Sequence, residues 1–351
     1  MRRRHVMTLA GLPILVVTLM AGPVSAGSGP IFVDDDGTAG AAGCTGASAV
    51  PATIQAGVDA AGPGDTVIVC PGSYREQVTI TGDRTGMSLR AASRWGARIV
   101  APSTNGDGEL ASVILVEGVR RVTVQWLVVV APTGGACASW ENLIAGRDAP
   151  RIAVRGNHLR PAGSQTLGAC GFRDGVDLEA SKGALISSNL IRDFQSDGIV
   201  VNDGSATIRG NAVRHLHAGY DGLDETGDRG IEADGRGTLV VANVVRGATY
   251  LQAGIEAGAD GVIVRGNRVS GVIEGINVDW TDVRVIGNQV LDGGVGISVE
   301  SGGNVIRDNI ATGNDLDCED LTSGSGTAGT DNQWIGNAGV TDSPGGICTV
   351  S

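Results

Sequence analysis

Seven asparagines punctuate the middle of the chain, at Asn157, Asn189, Asn211, Asn243, Asn267, Asn288 and Asn309, spaced by 32, 22, 32, 24, 21 and 21 residues. Ahead of most of them stands a glycine followed by a branched aliphatic: Gly175-Val176, Gly198-Ile199, Gly230-Ile231, Gly254-Ile255, Gly275-Ile276 and Gly296-Ile297. A unit this short buries its apolar face only by stacking on the next unit, so the spacing predicts a solenoid. Aromatic residues make up 3% of the chain and glycines number 57. Large rings therefore cannot fill the core, and stacked Val, Ile and Leu between glycine turns must do so.

Residues 275–292 show the logic of one unit. Ile276 and Val278 alternate with Asn277 and Asp279, the period of a strand. A turn follows at residues 280–282, Val283 and Val285 alternate again, Gly287-Asn288 makes a corner, and Val290 closes the coil. Three short strands per turn match one coil of a parallel β-helix. The aliphatic positions hold their phase from coil to coil. Three residues before the asparagines lie Val154, Ile186, Ile208, Val240, Val264, Val285 and Ile306; after them lie Leu159, Ile191, Val213, Val245, Val269, Val290 and Ile310. These two columns are the expected core. The asparagines are read as structural, adopting left-handed backbone and bonding along the stack.

Both ends depart from the repeat. Residues 1–26 carry Arg2, Arg3 and Arg4, then an apolar run, then Val24-Ser25-Ala26, the pattern of a secretory signal peptide. Residues 27–112 are expected to form an N-terminal cap and the first coils, 113–312 the repeats, and 313–351 a C-terminal cap. Within the first of these, TIQAGVDAA reads as a short amphipathic helix with Thr53 as its N-cap, a plug for the open coil end. Six cysteines in an exported chain predict disulfides, and their clustering suggests Cys44–Cys70, Cys137–Cys170 and Cys318–Cys348.

The formal charge is -12, and losing Arg2, Arg3 and Arg4 with the signal takes it to -15. Such a protein is a poor partner for nucleic acid or an anionic membrane. A secreted, extracellular monomer is expected.

The stretch TIQAGVDAAGPGDTVIVCPGSYREQVTI resembles the opening of right-handed parallel β-helix proteins of the pectate lyase-like superfamily. The phrases Thr53-Ile54-Gln55, Gly64-Asp65-Thr66-Val67 and Pro71-Gly72-Ser73-Tyr74-Arg75-Glu76 carry that likeness. The later Gly-Ile and Gly-Asn coils are similar to NosD-like repeats. The resemblance implies an all-β, single-stranded, right-handed parallel β-helix with a short N-terminal capping helix, and a carbohydrate-related role. It hands over no catalytic residue. The Gln, Asp and Arg motifs of pectin methylesterases, the Asn-Thr-Asp, Asp-Asp and Gly-His-Gly motifs of polygalacturonases and the Asp-Pro-His-Asp of alginate epimerases are missing from the chain.

Strand alternation places two columns of side chains outside the Gly-Ile sheet: Asp177, Val200, Glu232, Glu256, Asn277, Ser298, and Glu179, Asn202, Asp234, Gly258, Asp279, Glu300. Stacked carboxylates repel one another. They hold a cation such as Ca²⁺, for which Asp177, Glu232, Asp234 and Glu256 are the candidates; or they serve acid–base chemistry; or they splay into water. Two long segments, residues 160–174 and 215–228, emerge beside alternate rungs and are placed to wall a groove. The second holds His215, His217 and Tyr220. An acidic polysaccharide lying over Asp177, Glu179, Asn202, Asp203, Tyr220 and Glu256 is the leading expectation, and β-elimination the chemistry. His215, His217 or Arg173 would be its base and Glu232 a further catalytic candidate. Hydrolysis by a carboxylate pair and a non-catalytic surface or adhesion platform are the alternatives. Finally, Arg160, Arg192, Arg214 and Arg246 recur three residues after successive asparagines, as a row able to bind uronate carboxylates or to pair with Asp193 and its neighbours.

Overall fold

The computed structural model describes residues 29–40, 43–102, 112–131, 142–162, 173–194, 196–215, 228–247 and 251–348. Among these, three parallel sheets run the length of the molecule, of 12, 10 and 11 strands. The first sheet extends from Ile31–Val33 to Gln333–Ile335, the second from Gly72–Arg75 to Ile310–Thr312, and the third from Val78–Ile80 to Asp342–Ser343. The chain visits the third, first and second sheets in turn. Glu274–Val278, Arg284–Ile286 and Gln289–Leu291 make one coil, and Val295–Val299 then pairs with Glu274–Val278 to begin the next. This is the coil that alternation and turn residues predict.

The aliphatic columns meet on the axis. Val154, Ile186, Ile208, Val240, Val264, Val285 and Ile306 are fully buried, as are Leu159, Ile191, Val213, Val245 and Val269. Ile310 is a correction: it is 43% exposed, and Ala311 takes the inward position. Alternation requires this, because Ala311 is the residue two beyond Asn309.

The asparagines form an internal ladder. Asn243 donates its backbone N–H to Asn267 Oδ1 at 2.8 Å and its amide to Asn267 Oδ1 at 3.0 Å and Ile208 O at 2.9 Å. The same pattern runs from Asn157 to Asn309 and adds Asn337 at the end. The left-handed backbone belongs to the residue before each asparagine, such as Ser188, Gly210, Ala242, Gly287 and Asp308, and not to the asparagine itself. The turn needs both residues: one reverses the chain, the next satisfies the buried peptide groups that the corner exposes.

The N-terminal end carries the helix that the sequence suggests. A helix at Ile54–Ala60 buries Ile54 and Val58, and Thr53 Oγ1 accepts the Ala56 N–H at 3.2 Å. Glu76 accepts the N–H groups of Ile54 and Gln55, tying the helix to the first coil. Disulfides join Cys44 to Cys70 and Cys318 to Cys348. Cys137, Cys170 and the signal segment lie outside the described residues. Among the described residues no helix is long and apolar enough to cross a membrane.

Candidate active site

A groove of about 610 Å³ lies over the third sheet, on the coils where the acidic columns begin. Its floor is set by register. Asp177 aligns with Val200 and Glu179 with Asn202; Val200 aligns with Glu232 and Asn202 with Asp234; Glu232 aligns with Glu256. The two outward columns are therefore real, with rungs about 4.8 Å apart.

A third column lines the same groove. Asn142 aligns with Asp174, and Asp197 with Arg229. Of these, Asp174, Asp197 and Arg229 line the groove and directly precede Gly175, Gly198 and Gly230 of the Gly-Ile motif. A Cβ on Gly198 would sit 2.5 Å from Gly230 O and 2.5 Å from Val213 Cγ1, so the backbone there presses against both the next rung and the core. Glycine permits that approach.

Guanidinium groups thread the carboxylates. Arg147 pairs with Asp177 at 2.7 Å and with Glu179, and Asn142 Nδ2 donates to Asp177 at 3.1 Å. Arg229 pairs with Glu232 at 3.1 Å and with Glu256. Asp197 accepts hydrogen bonds from Ser196 Oγ and from the Arg229 backbone N–H, both 2.8 Å, while its own N–H donates to Asp174 Oδ1 at 3.1 Å.

Burial then sorts the protons. Desolvation, reinforced by the neighbouring charges of Asp197 and Asp177, pushes the Asp174 carboxyl up to about 8. Desolvation together with Asp197 and Asp234 pushes Glu232 up as well, to about 8. Asp177, Asp197 and Glu256 are also raised, burial being the largest cause, but each has donors that favour its charged form. The site thus offers neutral acids beside hydrogen-bonded carboxylates.

The residues expected from sequence divide into three groups. Arg173, Asp177, Glu179, Asn202, Asp203, Glu232 and Asp234 all line the groove, with Glu256 beside it on Arg229. His215 is not among the lining residues. It is 8% exposed at the end of a second-sheet strand, with its ring 5.0 Å from that of Phe194. His217 and Tyr220 lie outside the described residues. Of the four oxygen ligands proposed for Ca²⁺, Asp177, Glu232 and Glu256 are engaged by arginine. Among the described residues no three His, Cys, Asp or Glu side chains converge as a metal site. Sequence reading missed Arg147, Asp174, Asp197 and Arg229. For Asp174, Asp197 and Arg229 a signal was present, an acid or base immediately before Gly on consecutive rungs; Arg147 carries no such mark.

The fold has known relatives. The family model described as right handed beta helix region matches residues 174–341. No curated protein matches the sequence significantly. Among solved structures, the A-module of the Azotobacter vinelandii mannuronan C-5 epimerase AlgE6 is similar at a TM-score of 0.56 and 16% identity, over 82% of this chain and 90% of that one. The AlgE4 A-module of the same organism is similar at 0.52 and 16%, over 91% and 100%. DFA-IIIase from Arthrobacter chlorophenolicus A6, in complex with GF2, is similar at 0.51 and 15%, over 79% and 78%. The family match falls on the coils that carry most of the groove, and the structural likeness runs over most of the chain; this is a right-handed parallel β-helix protein.

Proposed function

We propose that the third-sheet groove binds an extended carbohydrate chain and cleaves a glycosidic bond in it by acid catalysis. The observation that carries this reading is the pair on adjacent rungs: Asp174, held neutral by burial and by Asp197, and Asp197, whose carboxylate accepts two hydrogen bonds. A neutral carboxyl in a groove is a proton donor for a leaving glycosidic oxygen, and an adjacent carboxylate faces the positive charge that develops on the sugar. The rung spacing of about 4.8 Å is near the roughly 5–5.5 Å separation of a retaining pair. In that arrangement Asp174 gives its proton to the departing oxygen while Asp197 bonds to the anomeric carbon. Water then breaks that ester, returning its proton to Asp174.

Charge bears on the polymer. Eight carboxyl groups and three arginines line the groove, so acids remain in excess even with Asp174 and Glu232 neutral. A polyuronate carries like charge and is repelled there, so a neutral glycan fits better. Calcium-assisted elimination on a uronate would require Asp177, Glu232 and Glu256 to exchange their arginines for an ion. The structural neighbours, from a mannuronan epimerase to DFA-IIIase in complex with GF2, support carbohydrate as the partner.

The test is product analysis by mass after incubating residues 27–351 with neutral glycans and polyuronates. Products carrying the elements of water, with turnover lowered about 10²–10⁴-fold by Asp174→Asn and binding retained, support the proposal. Fragments lacking the elements of water indicate elimination instead. Intact polymers throughout move the protein to a binding platform.

A further inference from the structure

The second sheet presents a face unlike the rest of this acidic molecule. Arg192 aligns with Arg214 and Arg214 with Arg246, while Arg160 continues the column from the rung where Leu159 meets Ile191. Their inward neighbours Leu159, Ile191, Val213 and Val245 are fully buried, so the four guanidinium stems leave the sheet on its outer side. They stand one per rung, about 4.8 Å apart. Arg98 lies on the same sheet on an earlier coil, in register with His158 through Val128.

Among the described residues the row lacks the acids that would make it structural padding. Among the described residues no carboxylate stands within salt-bridge distance of Arg160, Arg192, Arg214 or Arg246. The buried Nε atoms of Arg192 and Arg214 have no hydrogen-bond acceptor. The local field is correspondingly positive. Burial, with Arg192 and Arg160, lowers His158 to about 4, and burial, with Arg98 and Arg192, lowers the Arg160 guanidinium. Arg160 Nη1 donates to Pro161 O at 2.9 Å; four cations held against mutual repulsion with no described carboxylate partner form a site for an anion that spans several rungs.

We propose that this face is a second glycan-binding site, distinct from the groove, which takes a carboxylate-bearing polysaccharide laid along the stack with one guanidinium per sugar carboxylate. The rung spacing is close to the length of one sugar unit in an extended chain, so successive carboxylates meet successive arginines. A rigid planar fork suits bidentate carboxylate binding. The stack holds that spacing fixed, which favours a regular polymer over scattered charge. The protein would grip an anionic matrix through one sheet while its groove handles a different chain on another.

The test is equilibrium binding of residues 27–351 to polygalacturonate oligomers and to the same oligomers after carboxyl reduction, with no turnover required. Expected is salt-sensitive binding of the carboxylated form, lost at about 1 M salt where screening acts within about 3 Å, with any binding of the reduced form insensitive to both salt and the arginine variants. Arg192→Gln with Arg214→Gln should weaken affinity at least tenfold while melting and groove chemistry are unchanged. Arg246→Gln, on an exposed side chain, should cost a smaller factor and guards against misfolding of the double variant. Four results would overturn the proposal: no binding by the native chain, equal binding by the double variant, loss of binding on Asp174→Asn, or a DNA duplex bound as tightly as the uronate.

Discussion

Asp174 is where one residue ties stability to chemistry. Its carboxyl titrates near 8 in the folded chain against an ordinary 3.8, so the folded state holds a proton that the unfolded state releases. The sign follows from linkage: the stabilisation is complete below the unfolded value and is lost as pH rises through the folded one. Glu232, raised from 4.5 to about 8 by burial and by Asp197 and Asp234, acts in the same direction. The melting temperature should therefore fall between about pH 4 and pH 8. Asp174→Asn and Glu232→Gln, which cannot ionise, should flatten that slope, and together more than singly. Thermal melts across the pH range check this; a slope unchanged in both variants would place the titration elsewhere. At this same scale the sequence was only half readable. Alternation assigns Asp177, Glu232 and Glu256 correctly to the outer face, because side-chain direction in a strand depends only on parity. Parity also sends Asp174, Asp197 and Arg229 inward, since each lies two residues before a buried aliphatic. All three nevertheless line the groove, and no local rule of alternation contains that placement.

Among the elements, the asparagine ladder does more for the stack than any single strand. Each side chain accepts from the asparagine before it and donates both to the one after it and to a carbonyl. Asn243→Ala would leave the backbone N–H of Asn211, the Asn211 amide and the Ile208 carbonyl without their partner, all in the interior. At about 1–3 kcal/mol for a buried group left unsatisfied, we expect a loss of roughly 3 kcal/mol, read as a lower urea midpoint. Asn243→Asp sets a carboxyl against Asn267 Oδ1 and Ile208 O in the interior, so it should cost at least as much. An alanine variant as stable as the native chain would mean that the corners hold without the ladder. The ladder was legible as a period and not as a mechanism. Sequence reading gave asparagine both the turn and the bond, and the coordinates split those duties between neighbours. Arg147 escaped for a related reason: its strand, Asn142–Arg147, lies on a coil ahead of the first Gly-Ile pair and the first ladder asparagine, where the repeat offers no guide.

Seen as a whole, the molecule is one-dimensional, and its stability should be so too. Each coil touches only the coils beside it, so its free energy is a sum of local and nearest-neighbour terms, and an injury need not travel. The N-terminal helix is the place to ask. Val58 is fully buried against the first coils, together with Ile54, Val67, Met87 and Leu89. Val58→Asp puts a carboxylate into that apolar plug, and an isolated buried charge is far too costly to keep. The helix should lift and uncover the edge of the stack. Segment-resolved hydrogen exchange should then show lost protection over residues 54–91 and native protection over residues 229–299. Cleavage in the third-sheet groove and uronate binding at the second-sheet arginines should both persist, because their rungs lie several coils away. Exposed strand edges template association, so the variant should also aggregate from its open end as concentration rises. Loss of protection everywhere at once would instead show that the coils fold as a single cooperative unit, with the helix serving as the keystone of the stack.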